Sequence, residues 1–206
     1  MKPVHYFHGL LTIALFLSFS FFPSTANAQQ AETLFTGDVS HGGFGGPALK
    51  IGSVAGSTGI WLGGRGGWII NLDPEHTISL GGGGYGLVSD HRVPGDDELF
   101  ALNGYGGFIL EYTHKSYRIA HFTVTTLIGG GGLMLRDSDF ENVHDDMDNY
   151  FVFEPGVNAE VNVTNFFRVS AGATYRITSG ISRFGFSDSD FSGLNGMVTL
   201  KFGKFL

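Results

Sequence analysis

Apolar and polar side chains alternate along most of this chain. After residue 44 the helical period of 3.6 fails almost everywhere, and a period of two succeeds repeatedly. In 60–70 the even positions read Ile60, Leu62, Gly64, Gly66, Trp68 and Ile70, with Arg65 among the odd ones. In 151–163 the odd positions read Phe151, Phe153, Pro155, Val157, Ala159, Val161 and Val163, with Glu154, Asn158 and Glu160 between them. Residues 167–178 split the same way. Phe167, Val169, Ala171, Ala173, Tyr175 and Ile177 fall on one face, and Arg168, Ser170, Gly172, Thr174, Arg176 and Thr178 on the other. The pattern predicts eight strands, over 47–56, 60–70, 77–88, 99–112, 118–135, 150–163, 167–178 and 194–206. Each is about ten residues or longer, enough to cross a bilayer when tilted.

The connections alternate in length once the first is passed. Residues 71–76, 113–117 and 164–166 are short, whereas 89–98, 136–149 and 179–193 are longer. Short turns at one end and long loops at the other are the habit of membrane barrels. The apolar face carries aromatics near the strand ends. Phe100, Phe151, Phe153 and Tyr175 fall toward the long-loop rim, and Trp68, Phe108, Tyr112, Phe122, Phe167 and Phe202 toward the short-turn rim. Two aromatic girdles bounding an apolar band suit a membrane. The opposite face is small, polar and charged, whereas a soluble sandwich requires an apolar interior.

The N-terminus reads differently. Lys2 is followed by an apolar run from Gly9 to Phe22, broken by Pro23, and Ala26-Asn27-Ala28 fits a small-residue cleavage site. Residues 1–28 are therefore expected to be a secretory signal peptide. A periplasmic segment over 29–43 and a barrel over 44–206 follow. Without the leader, eleven basic side chains face nineteen acidic ones, a net charge of −8. That leaves no basic footprint for nucleic acid. The chain has no cysteine, so neither a disulfide framework nor a thiolate metal site is available.

Glycines gather at 63–67, 81–86, 104–107 and 129–132, inside the predicted strands. A phosphate-cradling loop must follow a strand and open a helix, and no Lys-Ser/Thr follows this run. Glycine weakens a strand but lets a narrow barrel curve and leaves space for large neighbours. A turn at 71–76 pairs residues whose numbers sum to about 148, setting Arg65 opposite Gly83 and Trp68 opposite Leu80. The glycines are then expected to make room for Arg65, Tyr85 and Tyr105. The alternative is a thin wall that accepts a lipid chain or a second subunit.

With these features the chain resembles the small eight-stranded outer-membrane barrels of the OmpA and OmpX type. The resemblance spans residues 44–206 and rests on architecture. The last strand, GMVTLKFGKFL, carries part of it, with Val198, Leu200, Phe202 and Leu206 on one face and Phe205 penultimate. It implies an all-β fold, a closed antiparallel eight-stranded transmembrane barrel, in a Gram-negative outer membrane. It also implies contact with outer-membrane lipids and lipopolysaccharide, and recognition of the C-terminal strand by the barrel-assembly machinery.

Such a lumen is only wide enough to be filled by side chains. The inward candidates are Lys50, Arg65, Glu111, Glu154, Glu160, Arg168, Arg176 and Lys201. Desolvated charges there must pair. The turn at 164–166 sets Glu154 opposite Arg176 and Glu160 diagonal to Arg168, so an ion-pair network centred on Glu154 and Arg176 is expected. The long loops carry Asp137, Asp139, Glu141, Asp145, Asp146, Asp148, Asp188 and Asp190. Their spacing matches no EF-hand, and the reading is a solvated acidic rim without a resident metal or cofactor. Ser89, His91, His144 and Ser187 lie in loops without the local spacing of a catalytic set, and His41 and the Asn162-Val163-Thr164 sequon are neutral. The functional expectation is a structural or surface-interacting barrel without catalysis. A narrow pore or a lipid-binding barrel is the alternative, and a lipid-modifying enzyme a more distant one.

Overall fold

The computed structural model describes residues 39–137 and 143–205, with the side chains of residue 97 and of 143–145 outside the description. The expected signal peptide, Asp139, Glu141 and Leu206 lie outside the described residues, as do the side chains of His144 and Asp145.

Eight long strands and one short one form a single antiparallel sheet. They are β1 (Ser40–Val54), β2 (Ser57–Asn71), β3 (His76–Leu87), β4 (Arg92–Val93), β5 (Asp96–His114), β6 (Ala120–Arg136), β7 (Val143–Asn162), β8 (Phe167–Ser179) and β9 (Gly193–Lys204). Each long strand pairs with its sequence neighbours, β3 pairs with β5, and β1 pairs with β9, which closes the barrel. The short β4 only extends β5 at the rim. This is the closed eight-stranded barrel that the alternation and the resemblance imply. All eight predicted strands are present. β1 begins at Ser40, earlier than expected and inside the segment assigned to 29–43. Glycines at 42, 43, 45 and 46 carry no polarity, so the alternation there cannot be read.

Turn chemistry sets the register. Ala55 and Gly56 make a two-residue hairpin with φ of 48° and 76°, the left-handed pair that matches strand twist. At the opposite end, the Asp73 carboxylate accepts the N–H groups of Glu75 and His76 at 2.7 and 2.8 Å. These donors, Glu75 first, hold the Asp73 carboxyl below its usual range. The resulting pairings place Arg65 opposite Gly83 and Trp68 opposite Leu80, as the sum of 148 requires. β7 and β8 keep the sum of 330, as in Val152 opposite Thr178 and Gly156 opposite Thr174. The β7–β8 ladder lacks the pairs of Glu154 and Pro155, and the β1–β9 ladder those of Gly46 and Pro47, because proline brings no N–H.

Both described chain ends lie with the short turns at 72–75, 115–119 and 163–166. The long connections at 88–95, 137–142 and 180–192 share the other end with the Ala55-Gly56 hairpin. The outward face is apolar: Ile51, Leu62, Phe108, Val157, Ile177 and Val198 are all exposed. The inward face holds the buried charges. Among the described residues no helix is long and apolar enough to cross a membrane.

The glycines divide by face. A Cβ on Gly63 would meet the Tyr85 ring at 2.8 Å, on Gly83 the Arg65 Cβ at 3.1 Å, and on Gly131 the Tyr150 ring at 2.4 Å. Room is made for Tyr85 and Arg65, as expected, and also for Tyr150. Tyr105 leans on the neighbouring rings Trp61 and Tyr85. Outward glycines differ: a Cβ on Gly45 or Gly86 would meet nothing within 4 Å. On the inner face of β3, a Cβ on Gly81 would lie 2.0 Å from the Gly66 carbonyl oxygen. Gly86→Ala is expected to be neutral or to stabilise by up to ~1 kcal/mol, because alanine restricts the unfolded chain. Gly81→Ala is expected to destabilise. Urea unfolding of the detergent-refolded variants, followed by heat-shifted gel mobility, separates the two.

Candidate functional site

The lumen is built from the inward positions of all eight long strands, and its charges fall into two linked groups. Toward the loop end, Glu154 of β7 accepts from Lys50 Nζ of β1 at 2.7 Å and from the Tyr105 hydroxyl of β5 at 2.7 Å. The Thr174 hydroxyl also donates to this carboxylate. Lys50 Nζ donates to Tyr105 at 3.0 Å and stands 3.5 Å above the centre of the Tyr85 ring. Toward the turn end, Glu111 receives Arg65 at 2.8 Å and Lys201 at 2.6 Å. Lys201 also lies 2.6 Å from Glu160, which is 3.2 Å from Arg168 and 3.3 Å from the His121 ring.

The expected centre of the network shifts. Glu154 and Arg176 lie on facing strands in the predicted register, but no ion pair joins them. Lys50, reaching across the lumen, takes the carboxylate. Arg176 instead turns toward the loop end, donates from Nε to the Phe191 carbonyl, and stacks 4.2 Å from the Trp61 ring. Its remaining link to Glu154 runs through Tyr105, at a long 3.5 Å. The structure brings Arg65, Glu160 and Arg168 into the turn-side group and leaves Arg176 at its loop-side margin. Sequence reasoning placed Tyr85 and Tyr105 beside the inward glycines but passed over Trp61, Asn103, Tyr150 and His121 as lumen residues. Parity was the signal: Trp61 lies on the Arg65 face of β2, and Asn103 and Tyr105 lie on the Glu111 face of β5.

Five cations face three carboxylates inside this wall, and all eight side chains are buried. Aromatic faces take up part of the excess. Besides the rings beneath Lys50 and Arg176, Phe205 lies 3.9 Å from Arg168 and Phe44 lies 4.7 Å from Lys201. A ring quadrupole attracts a desolvated cation by about 2 kcal/mol. Beside the turn-side group the lumen is closely packed. A void of about 10 Å³ beside Glu111, Glu160, Arg168 and Lys201 has room for at most one water.

The loop end is stopped by its own chain. The connection from β8 to β9 folds back with a single helical turn, α1 (Asp188–Phe191). It buries Ile181, Phe186 and Phe191 in the mouth. Its backbone is tied down by acidic side chains. Asp148 accepts the N–H groups of Ser182 and Arg183, both at 2.8 Å, and Asp188 accepts that of Ile181 at 2.8 Å. Asp190 accepts from Ser187. These acids of the rim serve the fold. Asp90 pairs with Arg136. Among the described residues no three His, Cys, Asp or Glu side chains gather where a metal ion could be held.

The girdle residues face outward. Trp68, Phe108, Phe122, Phe151, Tyr175 and Phe202 are exposed, and Phe100, Tyr112, Phe153 and Phe167 are half-buried. Of the loop Ser and His residues, Ser89 and His91 meet, Oγ to Nε2 at 2.9 Å. Ser89 Oγ also accepts the Ile60 N–H at 2.9 Å, so it continues the β2–β3 ladder. Among the described residues no carboxylate hydrogen-bonds the His91 ring. Asn162 of the sequon is engaged by its amide, which donates to the carbonyls of Ser116 and Arg118.

Comparison with protein-family models finds no match, and comparison with curated proteins finds none either. Among solved structures, Neisserial surface protein A is 9% identical with a TM-score of 0.49, covering 82% of this chain and 100% of that one. Ail, the attachment invasion locus protein of Yersinia pestis, is 10% identical with a TM-score of 0.43, covering 79% and 97%. Neither likeness is close enough to bear on function, and the barrel stands on the strand pairings above.

Two outcomes follow from this geometry. Glu154→Gln strands Lys50 without a counter-charge and is expected to cost roughly 3–5 kcal/mol in refolding stability. In double-mutant cycles Glu154 should couple more strongly to Lys50 than to Arg176. The second concerns pH. Burial pushes the His91 imidazole below its ordinary range, with the Asp90 carboxylate opposing. The neutral ring is therefore preferred in the folded rim. Its contribution is present above about pH 6.5 and is lost as pH falls through the lower folded value. Tryptic cleavage at Arg92 should quicken on acidification to about pH 5, and His91→Gln should flatten that response.

Proposed function

We propose that this protein is an integral barrel of a bacterial outer membrane with a structural or surface-interacting role and no catalysis. The observation that carries the reading is the inverted polarity of the wall. Its buried inner face holds eight ionisable side chains, and its exposed outer face is a band of Leu, Ile, Val and Phe. In water that arrangement would expose a large apolar surface while desolvating charge. In a bilayer both faces are matched. Aromatics at both margins support the same placement.

The long-loop end carries the material for contact with a surface. Asp90, Asp96, Glu98, Asp137, Asp146, Asp188 and Asp190 lie there. An acidic rim of this kind suits divalent cations bridging to lipopolysaccharide, or a basic partner. The Ser89–His91 pair favours a structural role, because the serine oxygen closes a ladder step. A narrow pore is disfavoured by the cross-lumen pairs and the plug at Phe191.

Refolded protein inserted in a planar bilayer, with insertion confirmed by heat-shifted mobility, is expected to pass no steady current. On intact cells, a cysteine placed at the exposed Glu98 should react with a membrane-impermeant maleimide. Steady conductance would turn the reading into a pore, and a buried cysteine would remove the surface role.

A further inference from the structure

At the short-turn end, three chain segments enclose a cleft of about 660 Å³. Asn162 fixes the first. Its N–H donates to the Ile119 carbonyl at 2.8 Å, and its side-chain amide holds the Ser116 and Arg118 carbonyls. The second segment, the β7–β8 turn, is joined to the third, the C-terminal end of β9, by the Gly203 N–H donating to the Phe166 carbonyl at 2.9 Å. The stacked rings of Phe167 and Phe202 reinforce that joint.

The lining is amphipathic. Ile119 and Phe166 are 76% and 61% exposed, beyond what isolated surface apolar residues need. The floor is the buried Arg168 guanidinium, which donates to Ser116 Oγ at 3.0 Å and rests on the Phe205 ring. Lys204 lines the same cleft with no acceptor among the described residues. Arg118, beside it in the first turn, has among the described residues the Tyr117 ring at 5.5 Å and no acceptor for its guanidinium. Among the described residues no carboxylate lines the cleft, and Glu160 answers Arg168 at 3.2 Å, so the unmatched charge is that of Lys204 and Arg118. The charge here is therefore positive, in a chain whose net charge is negative and whose opposite rim is acidic. Outward Phe202 and Val161 carry the apolar band to its edge.

We infer that this cleft binds the headgroup of an anionic phospholipid. The phosphate sits at Lys204 and Arg118, and the glycerol and upper acyl chain lie against Ile119 and Phe166. The inference rests on the membrane reading above, since the cleft opens where the apolar band ends. Charge complementarity selects an anionic over a zwitterionic lipid. Each Lys or Arg near a membrane surface favours an anionic headgroup by roughly fivefold. The exposed apolar wall selects a lipid over free phosphate.

The test refolds the full chain into vesicles of equimolar phosphatidylglycerol and phosphatidylcholine, extracts it in mild detergent, and counts lipid adducts by native mass spectrometry. The parent is expected to retain phosphatidylglycerol over phosphatidylcholine by roughly tenfold or more. The Lys204→Gln/Arg118→Gln double variant should fall to near parity. Lys115→Gln, at the same end but facing Glu75 at 3.6 Å, should leave the preference unchanged. Equal retention of the two lipids by an inserted parent would overturn the inference and leave the membrane reading intact. So would an undiminished preference in the double variant. A parent that never inserts, shown by the absence of heat-shifted mobility, would overturn both.

Discussion

A wall facing hydrocarbon has no water to satisfy its backbone, so every N–H and C=O must find its partner within the wall. Two pairings, β1 with β9 and β3 with β5, leave no open edge on the eight long strands, which is what the proposed membrane placement requires. Everything else depends on closure. It fixes which residue of each pair points inward. It also fixes how narrow the lumen is, and so which charges must be buried together. The two prolines test its tolerance. At Pro47 and Pro155 two successive pairings are lost while the register on either side is kept.

Closure then sets the problem that the lumen side chains solve. A narrow barrel cannot hydrate its charges individually, so each carboxylate serves several donors. Glu160 is shared by Lys201, Arg168 and His121, and Glu154 by Lys50, Tyr105 and Thr174. Breaking such a network leaves an uncompensated charge, so losing one partner costs more than the intact network contributes to stability. The glycines belong to the same solution. On the inner face they give Tyr85, Arg65 and Tyr150 the volume they occupy, and at Gly81 they let two backbones approach.

Strand identity, facing and turn-local register were legible because they depend on near neighbours. The period of two survives wherever a side chain has polarity, and a short turn fixes the sum of paired numbers, 148 in one hairpin and 330 in another. The start of β1 was hidden by glycines that carry no such signal. The partner of Glu154 was hidden for a different reason. Lys50 lies 104 residues away and meets it only across the closed lumen. Facing strands alone pointed to Arg176, which the plug at Phe191 draws off. That plug went unread: the Ser187-x-x-Asp190 spacing marks a helix start and caps the four-residue turn, but so short a signal does not show that the turn folds into the mouth.

The central claim is that odd positions of β8 face lipid and even positions face a packed lumen. The native chain has no cysteine, so single cysteines can be introduced along 169–177 and spin-labelled in refolded protein in vesicles. Oxygen accessibility is predicted to peak at Val169, Ala171, Ala173 and Tyr175 and to drop at Ser170, Gly172 and Thr174. A profile of opposite phase, or a water-soluble relaxant reaching the odd positions first, would contradict it.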